Sequence, residues 1–103
     1  MDIKTTRVTL TPALRAFVER KMAMLATHLA PLDKEGAVRL RVEIGKPSSH
    51  HRKGEVFYAE ANLTLGKSMI RATHEDVTIQ NAVTKVKNIL KERIAKYRQT
   101  QKS

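Results

Sequence analysis

The chain is 103 residues long, which suits one hydrophobic core rather than two, since single domains commonly run to about 100–150 residues. Lysines and arginines number 20 against 10 aspartates and glutamates, a formal net charge of +10, and there is no cysteine. That composition excludes a disulfide framework, a thiolate zinc site and thiol catalysis. It favours a polyanionic partner, nucleic acid first and an anionic membrane surface second. The charge is uneven: residues 76–103 hold seven basic and two acidic groups.

In chain order, Ile3, Val8 and Leu10 with Thr9 between them read as an opening strand of period two. It ends at Thr11-Pro12, a helix-start pair: threonine caps free N–H groups and proline at the first helical position loses no hydrogen bond. Leu14, Phe17, Val18, Lys21 or Met22, Leu25 and Leu29 then recur at three and four, one buried stripe of a first helix that stops near His28–Ala30, ahead of Pro31. After a polar DKEGA turn, Val38, Leu40, Val42 and Ile44 alternate with Arg39, Arg41 and Glu43, the cleanest strand in the chain.

Gly45-Lys46-Pro47 breaks that strand, and a basic loop containing SSHHRKG follows. Phe57, Ala59, Ala61, Leu63 and Leu65 share one face of a long strand, with Val56, Tyr58, Glu60, Asn62 and Thr64 on the other. Gly66-Lys67 is a tight turn into a shorter strand, Ile70 and Ala72 inward and Met69, Arg71 and Thr73 outward. From Glu75 a second helix carries Ile79, Ala82, Val83, Val86, Leu90, Ile94 and Tyr97 on one face, with fraying expected from Gln99. The core is expected to be aliphatic around Phe17 and Phe57, with Met22 and Met69 as fillers. The order predicts an α+β fold, a two-layer β-α-β-β-β-α sandwich whose four-stranded sheet carries both helices on one face, in one domain spanning 1–103. No signal peptide or membrane span is recognisable.

Chemistry-bearing residues are few. His50 and His51 are adjacent in the loop, but a metal site needs three or four convergent ligands, and the neighbouring Arg52 and Lys53 repel a cation. No oriented base, nucleophile or carboxylate pair is recognisable, so no enzyme is expected. On the second helix, Lys87, Lys91 and Arg98, with Gln80 and Thr84, fall along one flank beside the apolar stripe, while Glu92 lies away from it. A solvated lysine face is the plain alternative, but few glutamates stand four residues away to balance these cations. Arg39, Arg41 and Arg71 add cations on the exposed strand face, diluted by Glu43 and Glu60. The candidate RNA contacts are therefore Arg39, Arg41, His50, His51, Arg52, Lys53, Arg71, Lys87, Lys91 and Arg98, reading backbone and shape. Only Tyr58 among the aromatics faces outward, so a base-stacking platform lacks its residues.

Three segments, TPALRAFVERKMAML, HHRKGEVFYAEANLTLGKSMIRAT and NAVTKVKNILKERIAKY, together resemble the ribosome hibernation-promoting factor and ribosome-associated inhibitor family, also called sigma 54 modulation proteins. The resemblance implies the same β-α-β-β-β-α fold, akin to double-stranded RNA-binding domains, and a cytoplasmic protein without catalysis or cofactor. It implies a partner as well: the small ribosomal subunit and its 16S rRNA, bound in stress or stationary phase where mRNA and tRNA would sit. No small-molecule substrate or membrane is implied, and a monomer is favoured. The family opens its second helix with Asp, an apolar residue, Tyr, any residue and Ala-Ile-Asp. Here Asp76-Val77 precedes Thr78-Ile79-Gln80-Asn81 and then Ala82-Val83-Thr84, with two extra residues and no tyrosine. The chain resembles the short form, ending soon after this helix. The competing readings are a general structured-RNA binder of the same shape and a metal-dependent enzyme using His50 and His51.

Overall fold

The computed structural model describes residues 1–32, 38–47 and 56–101. Four strands form one sheet in the order β1-β2-β3-β4: β1 (Asp2–Thr6), β2 (Val38–Gly45), β3 (Phe57–Leu65) and β4 (Ser68–Asp76). The last three make an antiparallel meander, Val38 opposite Leu65 and Gly45 opposite Tyr58, then Phe57 opposite Asp76 and Leu65 opposite Ser68. β1 runs parallel to β2, which requires a crossover, and the helical segment α1 (Pro12–Ala23) and α2 (Ala26–Leu29) lies within it. The long α3 (Ile79–Gln101) closes the chain and lies against β3 and β4. The fold expected from the order of elements is the fold observed.

Alternation puts one face of every strand into a single core. Val42, Ile44, Ala59, Ala61, Leu63, Ile70 and Ala72 from the sheet meet Val18, Met22 and Leu25 from the first helical segment and Ala82, Val83, Val86, Leu90 and Ile94 from α3. Both helical layers thus cover the same face of the sheet. The other face carries Lys4, Arg39, Arg41, Glu43, Tyr58, Glu60, Asn62, Thr64, Met69, Arg71 and Thr73, as the period of two requires. The core is aliphatic, but not built around the phenylalanines: Phe17 and Phe57 are only half-buried, and Met69 is 65% exposed rather than a filler.

Several boundaries differ from the sequence reading. The first strand ends at Thr6, not Thr11, because Arg7 turns the chain in the left-handed region at φ 60° and its guanidinium donates to the Lys46 carbonyl at 2.8 Å. Val8 still reaches the core from this bend. The first helix is not continuous to residues 28–30: beyond Ala23 the Met24 and Leu25 amides bond back to Lys21 and Met22, three residues away, at 3.2 and 2.9 Å. That tighter winding brings Leu25 fully into the core before α2 resumes. The expected caps at Thr11 and Pro12 are present, the Thr11 hydroxyl accepting from the Leu14 amide at 3.1 Å.

The second predicted helix does not begin at Glu75. Glu75 and Asp76 stay in β4 opposite Tyr58 and Phe57, so β4 is as long as β3 at nine residues. The Asp76 carboxylate accepts from the Val77 amide at 2.7 Å, and Thr78 caps the helix by accepting from Asn81 at 3.0 Å. At the other end α3 continues to Gln101, past the expected fraying at Gln99. Two glycines are required by geometry. Gly66 turns the β3–β4 hairpin at φ 61°, where a side chain is strained. A Cβ on buried Gly45 would run into the Thr6 carbonyl oxygen and lie 3.0 Å from the Tyr58 hydroxyl.

Candidate nucleic-acid interface

The helical period and the sheet pleat divide the candidate cations between two sides of the sandwich. On α3, Lys87 and Arg98 are half-buried and Lys91 exposed. At about 100° per residue these three share one flank, roughly opposite Arg93. Arg93 reaches over β4 and donates to the Arg71 carbonyl, covering an edge strand that would otherwise present a free backbone acceptor. The Lys87, Lys91 and Arg98 flank therefore turns away from the β4 edge. None of the three has an ion pair among the described residues, and the single acid of α3, Glu92, lies off that flank.

Arg39, Arg41 and Arg71 lie on the open sheet face, behind the helices. The register fixes their neighbours: Asp2, Arg41, Asn62 and Arg71 form one row across the four strands, and Arg39, Thr64 and Met69 form the row beside it. Arg71 is engaged, its guanidinium 2.5 Å from the Glu60 carboxylate, whereas Arg39 and Arg41 carry no ion pair among the described residues. The next rows reverse the charge. Glu43 stands opposite Glu60, and Tyr58 opposite Glu75. One end of this face is basic and the other acidic, so the dilution by Glu43 and Glu60 expected from the sequence is concentrated at one end. The helix flank and the sheet cations are thus not brought together, and one flat ligand cannot touch both. His50, His51, Arg52 and Lys53 lie outside the described residues, as does the DKEGA turn.

The acidic end is organised by hydrogen bonds. The Glu43 carboxylate accepts from the Tyr58 hydroxyl at 2.5 Å and from the Thr6 hydroxyl at 3.0 Å. The Tyr58 bond, then the Thr6 bond, hold the Glu43 carboxyl below its ordinary range, and burial with the Glu43 bond pushes the Tyr58 phenol up. A carboxyl with a lowered folded pKa contributes stability above its unfolded value, roughly pH 4 to 5, and loses it as pH falls through the folded value. Tyr58→Phe is expected to cost about 1 kcal/mol at neutral pH. Urea unfolding should show the gap from wild type closing on acidification, and a gap independent of pH would contradict the assignment. Further along β4, the Val77 amide, then His74 at 3.1 Å, hold the Asp76 carboxyl low. These bonds belong to the strand-to-helix junction.

Among the described residues no three histidine, aspartate or glutamate side chains converge as a metal site, and no helix is long and apolar enough to cross a membrane. The sequence reading missed Arg93, whose role depends on which strand lies under α3, and Arg7, whose bond to Lys46 spans 39 positions. Helical angles alone separate Arg93 from the Lys91 flank, but nothing in its neighbourhood names the carbonyl it meets.

The family model described as Sigma 54 modulation protein / S30EA ribosomal protein matches residues 1–102. No curated protein sequence matches the chain. Among solved structures, the N-terminal domain of Protein Y from Thermus thermophilus aligns with TM-score 0.69 and 19% identity, covering 93% of this chain and 94% of that one. A ribosomal subunit interface protein from Coxiella burnetii aligns with TM-score 0.69 and 18% identity, covering 94% of each chain. At that identity the two structures establish the fold.

Proposed function

The chain belongs to the sigma 54 modulation protein / S30EA ribosomal protein family, and from that premise we propose that it is a ribosome-associated translation inhibitor. In this reading it is a hibernation factor that binds small-subunit 16S rRNA in the mRNA and tRNA channel during stress or stationary phase, in the cytoplasm and without catalysis. The relatives of similar fold include one described as a ribosomal subunit interface protein. The observation in the molecule that carries the reading is the α3 flank: Lys87, Lys91 and Arg98 lie on one side of a helix, free of acids and of intramolecular ion pairs among the described residues. Arg39 and Arg41 on the opposite side of the sandwich favour a channel walled by RNA over a single exposed duplex. That separates this reading from a general duplex binder, which needs cations on one side only.

Co-sedimentation with separated ribosomal subunits, alongside an RNA duplex of unrelated sequence at the same ionic strength, tests it. Saturable binding to the small subunit is expected, weakening with salt by about 0.7 to 0.9 in the log–log slope for each phosphate contact. Equal binding to both subunits and to the duplex would overturn the reading in favour of general affinity for polyanions.

A further inference from the structure

The open sheet face carries a groove where its basic and acidic rows meet, bordered by Asp2, Lys4, Arg41, Asn62, Thr64 and Met69. The residues come from all four strands, so no segment of the chain announces it. Met69 stands 65% exposed at the rim, an apolar side chain that the fold leaves in water. Among the described residues the side chains of Arg41, Asn62 and Thr64 make no hydrogen bond or ion pair. Glu43 also borders the groove, but its carboxylate is engaged by Tyr58 and Thr6.

The chemistry of this lining is mixed. Arg41 and Lys4 suit a phosphate, while Asp2 repels one and accepts from an exocyclic amine. The Asn62 amide both donates and accepts, as the edge of a base requires. Met69 offers a polarizable apolar surface that adapts to a flat ring. A seat for phosphate alone would gain nothing from a carboxylate and a thioether. A duplex is disfavoured by what lies beyond: rails of phosphate continuing along the strands would meet Glu60 and Glu75.

We propose that this groove is a separate seat for an unpaired nucleotide of a single-stranded RNA segment, its base against Met69 and Asn62 and its phosphate on Arg41. The proposal rests on the ribosomal reading for its setting, and it adds a second contact of different kind on the side opposite α3. Single-strand binding of this type joins a cationic track to a surface that packs against the face of a base. Here a methionine supplies that surface where no aromatic is available.

The test compares binding of a short labelled single-stranded oligoribonucleotide with binding of the same sequence as a duplex, followed by fluorescence anisotropy. It uses wild type, the double variant Asn62→Ala/Met69→Ala and the single variant Arg41→Gln. All three positions are outside the core, and thermal melting checks that each variant folds. The double variant is expected to lose about tenfold in affinity for the single strand and less than about twofold for the duplex. Arg41→Gln should weaken strand binding and flatten its salt dependence by about one phosphate contact. Unchanged strand affinity in the double variant, or equal losses for strand and duplex, would overturn the proposal. So would displacement of the strand by an equal concentration of free nucleoside monophosphate, which would make the occupant a small molecule. Small-subunit co-sedimentation of the wild type, measured in parallel, reads the ribosomal setting alone, so the two failures are distinguishable.

Discussion

Association with the small ribosomal subunit is expected to fall at least about hundredfold when Lys87 and Lys91 are both changed to glutamate, because two contacts that neutralise phosphate become two that repel it. Lys91 is exposed and Lys87 half-buried, one turn apart on the α3 flank that turns away from β4. Neither contributes to the core cluster, and neither has an ion pair among the described residues, so the exchange removes no intramolecular partner. The remaining binding should lose about 1.4–1.8 units of its log–log salt slope, 0.7 to 0.9 for each of the two phosphate contacts removed. Co-sedimentation over a salt series measures both quantities, with circular dichroism to show that the helix remains. A folded variant that still pellets with the subunit would remove α3 from the interface. The exchange Arg93→Glu is an informative control, since Arg93 lies on the other flank and serves the β4 edge.

The largest expected effect on stability is at Leu90. This side chain is fully buried on the apolar stripe of α3, against the face of β3 and β4 that carries Leu63, Ile70 and Ala72. Leu90→Ala removes buried methyl groups and leaves a cavity that the surrounding branched side chains only partly fill, at a cost of about 3 kcal/mol. A domain of this size has a net stability of about 5–15 kcal/mol, so the loss is a large fraction of the whole. Each kcal/mol lowers the melting temperature of a domain near 100 residues by about 4–8 °C. Lys91→Ala, one residue further on and exposed, should change stability by no more than about 0.5 kcal/mol. Urea unfolding of both variants decides the matter. Equal effects at the two positions would mean that α3 is not seated through Leu90.

The architecture was legible because its determinants are local and periodic. Val38, Leu40, Val42 and Ile44 alternate with charged residues, and a two-sided strand is the arrangement that buries one set and wets the other. The α3 stripe from Ile79 to Tyr97 likewise names its own buried face, and Lys87, Lys91 and Arg98 follow from it by angle alone. Boundaries were less legible. Glu75 and Asp76 have no strand pattern of their own and are extended because Tyr58 and Phe57 pair with them. Arg7 adopts its unusual backbone against a carbonyl 39 residues away.

What the sequence determined by itself, then, is the set of elements, the face each one buries and the cations left on the wet sides, since each depends on neighbours within one or two turns or along one strand. Strand register decided the rest. Only pairing across strands sets Arg71 on Glu60 and Tyr58 on Glu43, polarises the open face, and brings Asp2, Arg41, Asn62 and Met69 to one groove from four separate strands. Such contacts are long-range in sequence, and a pattern with a period of two or 3.6 residues does not specify which strand will lie beside which.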